Sequence, residues 1–341
     1  MSFKKRIVVM LSVVMMLLTL TACGSTKEAA TSDVVVSTDT VISIDEVIST
    51  DEVISESVVE CTESKSTEES AGYPVTVTDS NGDSFTIEKE PMKIISMAPN
   101  ITELIYQLGV QDKLVGRTDY CDFPAEVSEI ESVGSLQTPD IEKIISLKPD
   151  LVIASTHFSD ETQKQLTDLG IKVMVLYEEH ELDGVYTIIS TMGTVFQKNT
   201  EASALISEMQ TSIDEVTKSM EGLEAPTVYY VVGFGEYGDY TAGGDTYINQ
   251  LLTLAGGKNI AEDVEGWSYS LEALLEADPD IIIISNDMKD SFMTAENYKD
   301  LSAVKNNQVY GINNAIVERQ GYRNLEGIKT LAQIFHPDVV K

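Results

Sequence analysis

The chain has little of the material that metal centres, disulfide frameworks and nucleic-acid interfaces require. Its 341 residues include three histidines, three cysteines and one tryptophan. Three cysteines cannot form a disulfide scaffold, and so few histidines leave little for a metal cluster. Lys and Arg number 23 against 56 Asp and Glu, which gives a net charge of −33. Because such an acidic chain is repelled by phosphate backbones, we expect no nucleic-acid partner.

Motifs of the common enzyme classes are missing as well. The sequence contains no nucleophile elbow, zinc-protease helix, Walker loop or Cys-x-x-Cys pair. Residues 233–238 match the glycine spacing of a dinucleotide loop, but no helix pattern follows, and Glu236 and Asp239 would repel a pyrophosphate. We interpret this loop as the wall of a cleft. The protein is expected to perform no chemistry and to hold no cofactor or metal.

What the sequence does have begins with a targeting segment, residues 1–23. Basic residues at positions 4–6 precede an apolar run over residues 7–20, which is too short for a stable membrane span. The run ends in a tetrapeptide, residues 20–23, that resembles the bacterial lipobox, in which the final cysteine is acylated. We predict a lipoprotein signal peptide, with the mature protein anchored through Cys23 at the outer face of the cytoplasmic membrane. The alternative is an ordinary secretory signal.

Residues 24–72 predict a disordered acidic tether. They are rich in Ser, Thr, Val and acidic residues and contain no aromatic side chain, so they have little with which to form a core. Alternating Val and Ile residues leave a weak, transient strand as the competing interpretation. Cys61 lies in this tether, and whether it pairs with Cys121 stays open.

From residue 73 onward the pattern becomes that of an α/β protein. A hairpin signal comes first, and short apolar strands then alternate with amphipathic helices. Residues 73–198 predict an N-terminal α/β lobe, residues 199–224 a long helix between lobes, and residues 225–341 a C-terminal α/β lobe. The near-continuous apolar strands are typical of parallel sheets.

An internal repeat supports two related lobes. Residues 141–155 and 271–285 share a helix pattern, a Pro-Asp break and a buried strand, at a constant offset of 130. The proline ends the helix and turns the chain into the sheet. Chance recurrence of this unit is the alternative to duplication. Two such lobes imply a cleft between them, at the carboxyl ends of the strands.

Aromatic residues cluster where strands of the second lobe are expected to end. Tyr237, Tyr240, Trp267 and Tyr269 fall in loops there, and their faces suit a large, flat, partly apolar ligand.

Two histidines raise the alternative of a metal site. His157 and His180 follow two strands of the first lobe and could meet at the cleft with a carboxylate of the second. Nothing in the sequence fixes their spacing, so we interpret them as polar loop residues.

From about residue 93 to its end, the chain resembles the class III solute-binding proteins of ABC importers for cobalamin and ferric siderophores. Four segments carry the resemblance: residues 95–104, 115–124, 133–152 and 267–272. The second of them is similar to a motif of the cobalamin-binding branch. The resemblance implies two Rossmann-like lobes joined by one rigid helix, in a monomer that delivers a cobalamin-like corrinoid to permease and ATPase subunits. A ferric siderophore or haem is the alternative ligand, and a bare metal ion a lesser one.

The resemblance, together with the aromatic cluster, also implies the residues that contact the ligand. They are Tyr120, Tyr240, Trp267, Tyr269 and Arg319. Where the cobalamin binders carry tryptophan in the first lobe, this chain has Leu136 and Ser155, so that wall has fewer aromatic side chains. His157 and Phe158 lie nearby in the sequence as candidates to compensate.

Two carboxylates resemble those that dock such proteins onto arginines of the permease. Glu103 and Glu272 fall one in each lobe, and we expect both to be exposed at the lobe tips. Each also has a structural interpretation. Glu103 lies three residues after Asn100, in the spacing of a capping box, and Glu272 follows Ser270 in the first turn of a helix.

Overall fold

In the computed structural model, residues 72–178, 180–236 and 238–339 are described. The predicted signal peptide, almost all of the predicted tether and Tyr237 lie outside them, and so do Cys23 and Cys61. The strands are β1 (Val75–Thr78), β2 (Ser84–Ile87), β3 (Ile94–Ser96), β4 (Leu114–Arg117), β5 (Leu151–Ala154), β6 (Val173–Val175), β7 (Thr227–Val231), β8 (Asp239–Tyr240), β9 (Lys258–Asn259), β10 (Ser268–Tyr269), β11 (Ile281–Ser285) and β12 (Val309–Ile312). The helices are α1 (Pro99–Gln107), α2 (Ile141–Leu147), α3 (Asp160–Asp168), α4 (Leu182–Val195), α5 (Asn199–Ser219), α6 (Tyr247–Leu254), α7 (Leu271–Ala277), α8 (Lys289–Thr294), α9 (Ser302–Lys305), α10 (Ala315–Glu318) and α11 (Asn324–Phe335).

Each lobe is built on a four-stranded parallel sheet. The N-terminal sheet has the order β4-β3-β5-β6, and the C-terminal sheet has the order β12-β11-β7-β9. Every residue of β5 is buried, as are the first four residues of β11. These strands are buried because helices cover both faces of a parallel sheet. The prediction of two α/β lobes is confirmed.

The internal repeat folds into the same unit in both lobes. Helices α2 and α7 are each capped by the side chain of the preceding residue, Asp140 and Ser270. Both helices end on a residue with left-handed backbone, Lys148 at φ 53° and Asp278 at φ 39°. The chain can therefore leave the helix before the proline and enter the sheet directly.

The aspartate of each Pro-Asp break fastens a neighbouring strand. The Asp150 carboxylate accepts hydrogen bonds from the backbone N–H groups of Met92 and Lys93 at 2.9 and 3.0 Å, just before β3. The Asp280 carboxylate accepts them from the backbone N–H and the hydroxyl of Thr227 at 2.8 and 2.6 Å, at the start of β7. Both copies of the repeat thus end a helix and also hold the start of a neighbouring strand by hydrogen bonds to the aspartate.

One hydrophobic core runs through both lobes. It joins buried residues of α1, α4, α5, α6 and α11, among them Ile101, Met209, Leu251 and Ile328. Two smaller cores lie on the other faces of the sheets, one including the buried residue of α2 and one that of α7. The two lobes therefore share one packed core and are not independent units joined only by a linker.

The predicted helix between the lobes is α5, which ends at Ser219 rather than at residue 224. Its 21 residues span about 32 Å at 1.5 Å per residue. Helix α4 packs along it, so the connection is a pair of helices rather than a lone helix. None of the helices in the described part of the chain, α5 included, is long and apolar enough to cross a bilayer.

Candidate ligand-binding cleft

The carboxyl ends of the two parallel sheets border a shared cavity of about 490 Å³. The first lobe contributes His157 and His180, from the segments after β5 and β6. The second lobe contributes Asp245, Trp267 and Glu318, from the start of α6, the loop before β10 and the end of α10. A volume of this order suits a small-molecule site, and open α/β sheets place such sites at the carboxyl ends of their strands.

A small antiparallel ribbon carries the aromatic side chains of the second lobe. Strands β8 and β10 pair Tyr240 with Ser268 and Asp239 with Tyr269. Side chains alternate along a strand, so Tyr240 lies on one face and Tyr269 on the other. Tyr240 is 39% exposed, and Trp267, which lines the cavity, is 45% exposed. The ribbon and the residue before it therefore carry two exposed aromatic rings, of which Trp267 lines the cavity and Tyr240 does not.

Tyr269 lies on the face of the ribbon opposite to that of Tyr240. Its ring packs 5.6 Å from the buried ring of Tyr229, and its hydroxyl donates to the Ile260 carbonyl at 3.3 Å. Burial raises the pKa of this phenol. Tyr269, which the sequence predicts as a ligand contact with the other aromatic residues of this lobe, is partly buried against the smaller core of its lobe and is not in the lining of the 490 Å³ cavity. A ligand contact by Tyr269 stays a prediction.

Tyr120 lies in the loop that follows β4 and is 60% exposed. Its neighbour Cys121 is a buried free thiol that accepts a hydrogen bond from the Thr102 hydroxyl at 3.0 Å. The backbone N–H of Asp119 donates to the Gly134 carbonyl at 2.9 Å. The loop is therefore held on both sides of Tyr120. The ring is available at the surface, although it is not part of the lining of the 490 Å³ cavity.

Arg319 joins the lobes. Its Nη1 lies 2.8 Å from Glu103 Oε1 and 2.6 Å from Asp122 Oδ1, both in the N-terminal lobe. Arg323 adds a contact to the same Glu103 oxygen at 3.3 Å. The hydrogen bond from Arg319 lowers the pKa of Asp122. The sequence predicts Arg319 as a ligand contact. In this structure its guanidinium forms ion pairs with two carboxylates of the opposite lobe.

Glu103 is wrongly predicted as an exposed docking residue. It is 5% exposed, because its face of α1 turns toward Arg319 and Arg323 of the C-terminal lobe. Burial raises the pKa of this carboxyl, and the two arginines oppose that rise. The expected capping box is absent too. Helix α1 starts after Ala98 with no side-chain cap, and the Asn100 amide donates instead to the Gln320 carbonyl at 3.3 Å.

Glu142 in the N-terminal lobe occupies the position equivalent to that of Glu272 in the C-terminal lobe. It is exposed in the first turn of α2, and Glu272 is exposed in the first turn of α7. The two positions differ by the repeat offset of 130, so they are equivalent in the two lobes. The repeat in the sequence already aligns Glu142 with Glu272.

Residues 94–315 match the family model described as periplasmic binding protein. The chain belongs to the periplasmic binding protein family. It is similar to an uncharacterized ABC transporter substrate-binding lipoprotein, YvrC, of Bacillus subtilis, at 34% identity over 82% of this chain and 91% of that one. It is 28% identical to a cobalamin-binding protein of Halobacterium salinarum, over 77% of this chain and 74% of that one.

A solved structure of a possible iron-binding, periplasmic solute-binding protein from Staphylococcus epidermidis has the same fold. Its TM-score is 0.65 at 28% identity, and the match covers 73% of this chain and 100% of that one. The family and this likeness confirm the predicted architecture. They also support a solute-binding protein rather than an enzyme.

The two histidines of this periplasmic binding protein do reach one cavity. The His180 Nδ1 lies 2.8 Å from the Asp245 carbonyl oxygen, so this imidazole spans from one lobe to the other. His157 has left-handed backbone, with φ of 65°, where it borders the cavity. Within the described ranges, no three Cys, His, Asp or Glu side chains lie close enough together to hold a metal ion.

The first-lobe wall of this periplasmic binding protein is poor in aromatic side chains. Leu136 and Phe158 pack against the core of the N-terminal lobe. Ser155 is buried and accepts a hydrogen bond from the Asn100 amide at 3.2 Å. Phe158 therefore does not replace the tryptophans implied by the resemblance, whereas His157 does border the cavity.

Proposed function

We propose that this periplasmic binding protein is the lipid-anchored, extracytoplasmic substrate-binding component of an ABC importer. We propose further that it captures cobalamin or a related corrinoid in the cleft between its lobes and delivers it to the permease. The observation that carries this proposal is the cavity at the carboxyl ends of both sheets, with the Trp267 indole on its wall. The likeness to a cobalamin-binding relative adds support.

The cleft offers the two kinds of contact that a corrinoid needs. Its ring system is broad and flat, so it can lie against the Trp267 indole on the cavity wall, with Tyr240, which lies outside the cavity lining, as a further candidate contact. Thr241 N–H donates to the Trp267 carbonyl at 2.8 Å, which holds these two aromatics on adjoining backbone. The amide arms of the ring would meet the polar side chains on the rest of the lining. This is binding without covalent change, as expected of a carrier.

An iron chelate is the second candidate ligand. A possible iron-binding protein is among the proteins with the same fold. The wall formed by the first lobe has Leu136 and Ser155 where the resemblance implies tryptophan, which weakens the case for a ring held between two aromatic walls. A ferric siderophore or haem therefore remains the alternative outcome of the binding test.

Docking on the permease is assigned to Glu142 and Glu272. Both carboxylates are exposed, and they occupy equivalent positions in the two repeats. A permease with two related halves could contact one on each lobe with basic side chains. Glu103, being buried in an ion pair within the protein, is not part of this proposal.

The ligand carried through purification tests the proposed function. The full-length lipoprotein would be extracted in mild detergent from cells grown with both cobalamin and iron available. Its absorption spectrum and the mass of any released compound would then be measured. A corrin spectrum with a corrinoid mass is expected. A ferric hydroxamate, ferric catecholate or haem spectrum in its place would overturn the corrinoid assignment and support the alternative.

A further inference from the structure

The described lining of the cavity contains two acids and two histidines but no permanently cationic side chain. Among the described residues that line it, the ionisable acids are Asp245 and Glu318, and the remaining titratable groups are His157, His180 and Tyr247. No lysine or arginine belongs to that described lining. A ligand carboxylate entering the cavity would meet two like charges and would lose its water without gaining a cation.

Arg319, next to the cavity lining in the sequence, does not supply the missing positive charge. Arg319 directly follows Glu318, but its guanidinium bonds to Glu103 and Asp122 at 2.8 and 2.6 Å. Those two carboxylates already compensate its charge. A carboxylate ligand would have to break this contact between the lobes before it could use the arginine.

Glu318 is fixed in place as an acceptor. One carboxylate oxygen accepts from the Tyr230 hydroxyl at 3.1 Å and the other from the Asn314 amide at 2.7 Å. Each oxygen has a further lone pair, so the group can still accept from a ligand. Burial raises the pKa of this carboxyl. An N–H donor or a cation from the ligand would favour its ionised form again.

We propose that the cleft selects its ligand by charge, taking a metal chelate with a neutral or cationic, N–H-bearing periphery and rejecting one that carries carboxylates or net negative charge. In this proposal Glu318 determines specificity by accepting from the ligand. This inference rests on one part of the proposed function, namely that the cleft binds a metal chelate. Corrinoids with amide arms satisfy it, as do cationic hydroxamates, whereas haem with its propionates does not.

A matched pair of corrinoids tests the proposal. Dicyanocobinamide carries amide arms, and dicyanocobyrinic acid has the same ring with carboxylates in their place. Calorimetric titration of the purified protein at neutral pH and low salt should give at least tenfold tighter binding of the cobinamide. Glu318→Gln should narrow that ratio several-fold, because the amide keeps the shape but removes the charge. Glu276→Gln, at an exposed position on α7, is the control that should leave the ratio unchanged.

A second pair separates this inference from the corrinoid assignment. Ferrioxamine B carries an ammonium group, and ferric enterobactin carries net negative charge. If neither corrinoid binds and ferrioxamine B binds in preference to ferric enterobactin, the corrinoid assignment fails and charge selection stands. If the two corrinoids bind equally well, or the carboxylate form binds more tightly, charge selection fails and the corrinoid assignment stands. Binding of haem or ferric enterobactin in preference to the neutral and cationic probes would overturn both.

Discussion

Arg319 of the C-terminal lobe lies 2.8 Å from Glu103 of the N-terminal lobe, and both side chains are largely withdrawn from solvent. Arg323 contacts the same carboxylate and places its guanidinium 4.1 Å from the centre of the Phe123 ring. These contacts cross the junction beside the cleft and add to the shared hydrophobic core. The position of the cleft wall of one lobe relative to that of the other therefore depends on an ionic contact as well as on packing.

Removing Glu103 should destabilise the protein. Glu103→Ala leaves Arg323 with the 3.4 Å contact to Glu326 as its one remaining ion pair and removes one of the two carboxylate partners of Arg319. Breaking a buried ion pair from one side costs about 3 kcal/mol. Urea unfolding should show a loss of that order. Glu142→Ala, which removes an exposed carboxylate, should cost under about 1 kcal/mol. Equal stabilities for the two variants would contradict the buried network.

The contact between Asp122 and Arg319 should depend on pH in a definite direction. The hydrogen bond from Arg319 lowers the pKa of Asp122 below its usual 3.8. A lowered pKa in the folded state stabilises the protein above the unfolded value, and that stability is lost as the pH falls through the folded value. The advantage of the wild type over Asp122→Asn should therefore be present at pH 7 and shrink below about pH 3.8.

Urea midpoints measured from pH 7 to pH 3 would check this expectation. Asp290→Asn, at an exposed site on α8, is the control variant. The difference in urea midpoint between the wild type and this variant should not shrink as the pH falls. A difference between wild type and Asp122→Asn that stays constant across this range would count against an ionic role for Asp122.

Docking should require both repeat-related carboxylates. Glu142→Ala with Glu272→Ala removes exposed charges outside the cleft, so ligand affinity and the melting temperature should change little. Truncating one side of an interfacial charge pair can cost about 2–5 kcal/mol, so transport in a reconstituted importer should fall at least tenfold. The pair Glu276→Ala and Glu296→Ala, also exposed, is the matched control. Undiminished transport by the first double variant would leave Glu142 and Glu272 as ordinary acids at helix starts.

The Trp267 indole should contribute directly to ligand affinity. Trp267→Ala removes an aromatic face from the cavity wall, and each such contact is worth on the order of 1 kcal/mol or more. The dissociation constant for the bound chelate should rise about tenfold. Leu275→Ala truncates a side chain of similar exposure on α7, away from the cavity lining, and should leave the dissociation constant unchanged. Unaltered affinity in Trp267→Ala would remove the indole from the binding site.

The sequence predicts the lobes well because their signals are local. The apolar runs of β5 and β11 and the Pro-Asp breaks before them need no distant partner to be recognised. The repeat also aligns Glu142 with Glu272, so the equivalence of these two exposed carboxylates could be read from the sequence. The physical role of Asp150 and Asp280 was missed, because a hydrogen bond to a neighbouring strand depends on sheet order rather than on spacing along the chain.

The site was harder to predict because it depends on contacts between segments far apart in the chain. Glu103 and Arg319 are separated by 216 positions, and nothing near either residue indicates the other. Tyr269 and Tyr240 look alike in the sequence, and only the register of the β8–β10 ribbon places them on opposite faces. A two-residue strand is too short to give a recognisable alternation, so this ribbon could not be predicted.

The most direct test of a corrinoid cleft uses the only tryptophan of the chain. Trp267 lies on the cavity wall. Because the chain has no other tryptophan, its indole fluorescence reports on that wall. Cyanocobalamin would be titrated into the purified protein, with the emission corrected for absorption by the ligand, and calorimetry would be run in parallel. We predict saturable quenching at one ligand per chain with matching heat. The corrinoid assignment would be contradicted if cyanocobalamin and cobinamide gave neither saturable quenching nor heat while a ferric siderophore bound saturably.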